Sequence, residues 1–114
     1  MARYLATESA GQCGPCLNGL PRMAAGLAEL AGRGHRKSAG QVRADLERWA
    51  GPHSVISGRG ACHHPDGTVR FVRSALTVFA PEISVHASGR CSATDRRPFL
   101  PLPDGVPTTE DDWV

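Results

Sequence analysis

The sequence predicts an all-α fold: a small antiparallel bundle of about four short helices, with an N-terminal cysteine-bearing loop and an irregular C-terminal tail. Three observations carry this expectation. Apolar residues recur with a helical rather than an alternating period between Leu20 and Phe79. Aromatics make up 5% of the 114 residues and hydrophobic residues 40%, which suits a modest aliphatic core. Gly and Pro divide the periodic stretches at Gly32-Arg33-Gly34, Gly51-Pro52 and Pro81.

Residues 1–15 read as an irregular lead-in and loop. Leu20, Met23, Leu27 and Leu30 then fall at i, i+3, i+7 and i+10, the stripe of a first helix. Proline is tolerated only in a first turn, so Pro21 sets the start of its regular part near Leu17 to Pro21. A second helix runs from about Gly40 to Ala50 with Val42, Leu46 and Trp49 on one face, and Gly51-Pro52 stops it. Residues 53–65 form a loop that carries Gly58, Gly60, Cys62, His63 and His64. Asp66 is a suitable N-cap for a third helix through Phe79, with Val69, Val72, Leu76 and Phe79 inward. A strand over Val69–Val72 is the competing reading, but Val-Arg-Phe-Val does not alternate. Pro81 opens a short fourth helix to about Ala87. From Ser88 the composition shifts to Gly, Pro, Asp and Thr without periodicity. The expected division is a domain over 1–91 and an extended or disordered tail over 92–114.

The net charge of +2 is small, and twelve of the thirteen basic residues are arginine. These charges are scattered, which excludes a nucleic-acid stripe. No apolar run approaches the roughly 18 residues that span a bilayer, and Met1 to Gly11 lacks the apolar segment of a secretory signal. The expected compartment is a reducing cytoplasm, where four cysteines point to metal or redox chemistry rather than to a disulfide framework.

Cys13-Gly14-Pro15-Cys16 concentrates that chemistry. Two thiols separated by two residues in a turn can face one centre, and soft thiolates select iron–sulfur clusters, zinc or copper. Antiparallel stacking returns the Cys62 loop to the Cys13/Cys16 end of the bundle. The fourth helix then brings Cys91 back towards the same end. A dithiol redox pair remains open from the spacing. So does a zinc site of Cys13, Cys16 and Cys62 with His63 or His64.

The run Arg3-Tyr4-Leu5-Ala6, then Glu8-Ser9-Ala10-Gly11-Gln12-Cys13-Gly14-Pro15-Cys16, a helix and finally Cys62, resembles a known family. It is the C-terminal iron–sulfur domain of the flavin-bearing, NADH-binding subunit of respiratory NADH:quinone oxidoreductase. NAD-linked hydrogenases and formate dehydrogenases carry similar subunits. The resemblance spans about residues 3–88 and implies a helical bundle around one [4Fe–4S] cluster that accepts electrons from a flavin. By it, Cys13, Cys16 and Cys62 match three of the four family ligands, while Ala10 stands where the first cysteine should be. Four outcomes stay open: Cys91 substitutes; Ser9, His63 or His64 does; one iron lies open; or the cluster is lost. Cys91 ranks first, since thiolate is the natural ligand.

The domains that hold FMN and NADH in the family have no counterpart among these residues. The implied role is therefore electron relay, with flavin/NADH-binding oxidoreductase domains or subunits as partners. The implied location is cytoplasmic, peripheral to the inner membrane through a complex. Two alternatives accompany this reading. One is a structural or interaction module of the same bundle, without a cluster or with zinc. The other is a thioredoxin-like oxidoreductase, because Cys-Gly-Pro-Cys is also the thioredoxin tetrapeptide. No Ser/His/Asp constellation, phosphate loop or paired carboxylate site is present in the pattern.

Overall fold

The computed structural model describes residues 1–32 and 39–91. Among the described residues five α-helices follow one another: α1 (Ala2–Thr7), α2 (Leu20–Ala31), α3 (Ala39–Ala50), α4 (His64–Val78) and α5 (Ala80–Ala87). A π-helical turn, Pro15–Gly19, leads into α2. Among the described residues there is no strand, so the all-α expectation holds and the βαβ scaffold of a thioredoxin-like protein is missing. The tail expected over 92–114 lies outside the described residues. No helix among them is long and apolar enough to cross a membrane.

The lead-in departs from the irregular segment expected for residues 1–15, because Ala2–Thr7 is helical. Six residues are too few to hold a helix alone. Packing against α2 and α4 supplies what length does not. The Nε2–H of His64 also donates to the Leu5 carbonyl, 2.8 Å away, and ties α1 to the start of α4.

The π turn has a local cause. Pro21 lacks the N–H that would bond the carbonyl of Leu17 in an α-helix. The Leu20 N–H instead reaches back five residues to the Pro15 carbonyl. α2 then presents Leu20, Met23, Ala24, Gly26 and Leu30 inward, with Leu27 partly buried against the core. Val42, Leu46 and Ala50 of α3 and Val69, Val72 and Leu76 of α4 complete that core. Leu20, Met23, Leu46 and Val72 are fully buried, each worth roughly 1.5–3 kcal/mol relative to exposure. Trp49 is only half-buried at its edge.

Two expectations about α4 are corrected. The helix begins at His64, before Asp66, because Pro65 occupies a first-turn position where no N–H is needed. Asp66 therefore sits inside the first turn rather than at the N-cap. Phe79 is 57% exposed rather than inward. It is shared between the end of α4 and the start of α5, and the helical register changes there.

Candidate metal centre

Cys13 and Cys16 sit at the point where the chain enters the π turn. The Leu17 N–H donates to the Cys13 carbonyl at 2.9 Å, so Cys13 already belongs to the helical ladder. Residues three apart on such a turn share a face, and the two thiols hydrogen-bond each other. Cys16 is 5% exposed and part of the core, whereas Cys13 is half-buried. The preceding bend is fastened by Ser9, whose hydroxyl donates to the Ala6 carbonyl at 2.9 Å. Gly11, beyond it, donates its N–H to the Cys16 sulfur.

The loop that carries Cys62 is built separately and docked. The Ser54 hydroxyl donates to the Trp49 carbonyl at the end of α3. Its oxygen accepts the N–H groups of Ile56 and Ser57, both at 3.0 Å. This aims Ile56 inward, where it is 3% exposed. Ile56 lies against Gly19, the last residue of the π turn. A Cβ built on Gly19 would stand 2.7 Å from Ile56 Cδ1 and 2.9 Å from Cγ1. Any larger residue at position 19 would force the Ile56 side chain to shift. Further along, the Gly58 N–H donates to Asp66 Oδ1 at 2.7 Å, and Asp66 Oδ2 faces His63 Nδ1 at 3.1 Å. The loop is thus pinned by α3 at one end, by Gly19 in the middle and by α4 at the other.

The consequence is an encounter between segments far apart in the chain. The N–H of Ala61, the residue before Cys62, donates to the Cys13 sulfur, and the Cys62 thiol acts electrostatically on Cys16. Cys13, Cys16 and Cys62 therefore share one end of the bundle, with Cys62 exposed. The thiols are not equivalent. Hydrogen bonds from the N–H groups of Ala61 and then Cys16 lower the Cys13 pKa. Burial, followed by the neighbouring thiols Cys13 and Cys62, raises that of Cys16. Arg22 and Arg59 border the cleft formed with Gly14, Pro15 and Asn18 beside this turn.

Cys91 is elsewhere. It shares a cavity of about 530 Å³ with Leu27, Leu30, Ala31, Phe79 and Ile83. Leu30 and Ala31 close α2, whereas Cys16 lies just before it opens; twelve residues of helix separate those ends by roughly 18 Å. The expected return of the chain fails for two reasons. α5 has only eight residues and packs beside α2 and α4 without travelling their length. Gly89, at φ +75°, then reverses the chain, with the Arg90 N–H bonded to the Val85 carbonyl at 3.3 Å. This is a left-handed C-terminal cap that glycine supplies without strain.

His63 and His64 are turned to other partners, as are Ser9 and Asp66. Among the described residues, no group of three or more His, Cys, Asp and Glu is arranged to hold a single metal ion. A zinc site needs sulfurs within about 2.3 Å of one point. An iron–sulfur cluster presents a separate iron to each thiolate and suits a wider set of donors. Cys13 and Cys16, with N–H groups directed at their sulfurs, and Cys62 acting on Cys16 are soft donors of the chemical kind that such a cluster takes.

Ala61, Ile56 and Ser54 escaped the sequence reading. Ser54-Val55-Ile56-Ser57 carries a weak signal, since a serine hydroxyl commonly caps the N–H groups two and three residues on. Ala61 contributes only its backbone and leaves no signature.

A family model described as the NADH-ubiquinone oxidoreductase-F iron-sulfur binding region matches residues 1–86. No curated protein and no solved structure matches the chain.

Proposed function

The chain belongs to the NADH-ubiquinone oxidoreductase-F iron–sulfur binding family, and on that premise we propose that it is an electron-transport module. Cys13, Cys16 and Cys62 would hold a [4Fe–4S]-type cluster. The observation that carries this reading is the donation of the Ala61 N–H to the Cys13 sulfur, with Cys62 acting on Cys16. It brings two loops distant in sequence to one set of soft donors.

The cluster, when bound, supplies reversible one-electron chemistry. The chain does the rest. The N–H groups of Ala61, Cys16 and Gly11 point at sulfur. Such bonds stabilise negative charge on thiolates and tune the potential of what they ligate. Burial of Cys16 excludes water from the inner side, while exposed Cys62 leaves a face for an electron partner. That partner is a flavin/NADH-binding oxidoreductase domain or subunit, in a cytoplasmic complex peripheral to the inner membrane. No hydride step belongs to these residues.

The test is anaerobic reconstitution of the full chain with iron and sulfide. The expected product has broad visible charge-transfer absorption, bleaches on uptake of a single electron from dithionite, and then gives a paramagnetic EPR signal. A chain that gains neither chromophore nor stoichiometric sulfide refutes the reading.

A second reading has its own observation behind it. A hydrogen-bonded pair with Cys13 lowered and buried Cys16 raised is the asymmetry of an attacking and a resolving thiol. Disulfide reduction that depends on Cys13, in a chain that takes up no iron, would favour it.

A further inference from the structure

We propose that residues 98–103 of this chain dock in the cavity between α2 and α5. The proposal concerns the end of the bundle away from Cys13 and Cys16, and it stands whether or not the thiols hold a cluster.

The cavity marks an incomplete interface. Five of the eight residues of α5 are Ala, Pro, Ile or Val, yet none of the eight is buried. The helix packs on α2 and α4, but about 530 Å³ stays unfilled between its Ile83 and the Leu27 and Leu30 side chains of α2. Phe79 borders the same space with 57% of its surface exposed. Glu82 and His86 are its polar members, and the remaining lining is aliphatic, aromatic or thiol. Protein interiors hold few voids larger than a water molecule. A space of this size with such walls takes an apolar occupant.

The chain itself leads into this place. Gly89, at φ +75°, reverses it after α5, and the Arg90 N–H bonds the Val85 carbonyl at 3.3 Å. Cys91 thereby becomes part of the cavity wall. Residues 98–103, Pro-Phe-Leu-Pro-Leu-Pro, lie outside the described residues and are the longest run without a polar residue beyond that point. Phe99 comes eight residues after Cys91, a tether of up to roughly 26 Å at about 3.3 Å per residue. The α2 wall from Leu27 to Ala31 covers only about 6 Å, so the reach is ample. A tether this short also gives the segment a high effective concentration at the cavity, which favours it over a free partner.

The chemistry of the segment matches the walls. Phe99, Leu100 and Leu102 are the apolar groups the cavity lacks, and the Phe99 ring suits a wall that contains Phe79. Pro98 and Pro101 have the Pro-x-x-Pro spacing of peptides that dock in aromatic-lined grooves. Proline brings φ already fixed, so less freedom is lost on ordering.

Cys91 reports whether the cavity is filled. Its labelling by iodoacetamide, followed by timed quenching and peptide mass spectrometry, is compared in the full wild-type chain, Phe99→Ser/Leu100→Ser and Val106→Ser. The double variant should label severalfold faster at Cys91, with the Cys13 rate unchanged, and Val106→Ser should match the wild type. A free peptide of residues 95–105 should restore the slow rate to the double variant, and the same peptide carrying both serines should not. Neither substituted position of the double variant belongs to a described helix. A variant-free measurement accompanies these: nuclear Overhauser contacts in the wild type between the Phe99 ring and the methyls of Ile83 or Leu30. Their absence overturns the proposal whatever the variants do. Equal Cys91 rates in all three proteins overturn it, as does equal acceleration by Val106→Ser. Protection that rises with protein concentration, together with a dimer in sedimentation, overturns it in favour of the tail of a second copy.

Discussion

The meeting of Ile56 with Gly19 holds the Cys62 loop against the turn that carries Cys16, and a double-mutant cycle measures it. A Cβ at position 19 would lie 2.7 Å from Ile56 Cδ1, 2.9 Å from Cγ1 and 3.6 Å from Cγ2. The two closest contacts are below any normal carbon separation, and Ile56 is 3% exposed with little room to retreat. Overpacking of this kind costs about 1–3 kcal/mol. Replacing a helical glycine by alanine returns roughly 0.5–1 kcal/mol. Gly19→Ala should therefore destabilise the chain by a net of up to about 2.5 kcal/mol. Ile56→Val removes Cδ1 alone, at a cost of about 0.5–1.5 kcal/mol. In the double variant the new methyl enters the space that Cδ1 vacated. The Cγ1 contact persists, so relief is partial. The coupling should be about 1 kcal/mol in the favourable direction, within the usual range for touching residues. Urea unfolding of the four proteins reads each term, and the slope should stay constant across them if only stability changes. Additivity within about 0.3 kcal/mol, or a Gly19→Ala protein more stable than wild type, would refute the docking described above.

Two further predictions concern titration and reactivity. Asp66 has its pKa lowered first by the Gly58 N–H and then by the His63 ring. A carboxylate depressed on folding contributes stability that is complete above its unfolded value, about 3.9. That contribution fades as pH falls through the lower folded value. Asp66→Asn should accordingly flatten the acid limb of stability against pH between about pH 5 and 2, as followed by circular dichroism. An unchanged acid limb would show that the Gly58 contact does not persist in solution. In the apo chain at neutral pH, iodoacetamide should label Cys13 before Cys16. Lowered pKa and half-burial favour the first, while near-complete burial and a raised pKa protect the second. Timed quenching and peptide mass spectrometry give the order, and preferential labelling of Cys16 would contradict the described environment.

Much of the helical skeleton was legible in the sequence because periodicity reports local burial. Leu20, Met23 and Leu30, then Val42 and Leu46, then Val69, Val72 and Leu76, are core residues as their spacing predicts. The same logic failed for Phe79, since a stripe says nothing of where the next helix turns away. α1 was missed because its stability comes from α2 and α4 rather than from its own few residues. At the site, the Cys-x-x-Cys spacing marked Cys13 and Cys16, and the antiparallel topology placed the Cys62 loop at their end. What spacing could not carry was the length and direction of α5. A reversal at Gly89 leaves Cys91 beside Leu30 and Ala31. Backbone donors such as Ala61 are invisible to any reading of side chains.

The central claim is that Cys13, Cys16 and Cys62 form one centre and that Cys91 stands outside it. Single Cys→Ser variants at the four positions, reconstituted side by side and assayed for bound iron and sulfide, test it most directly. The account predicts a cluster of wild-type spectrum in Cys91→Ser and several-fold loss of iron in each of the other three. Loss of the cluster in Cys91→Ser, or its retention unchanged in Cys62→Ser, would contradict it.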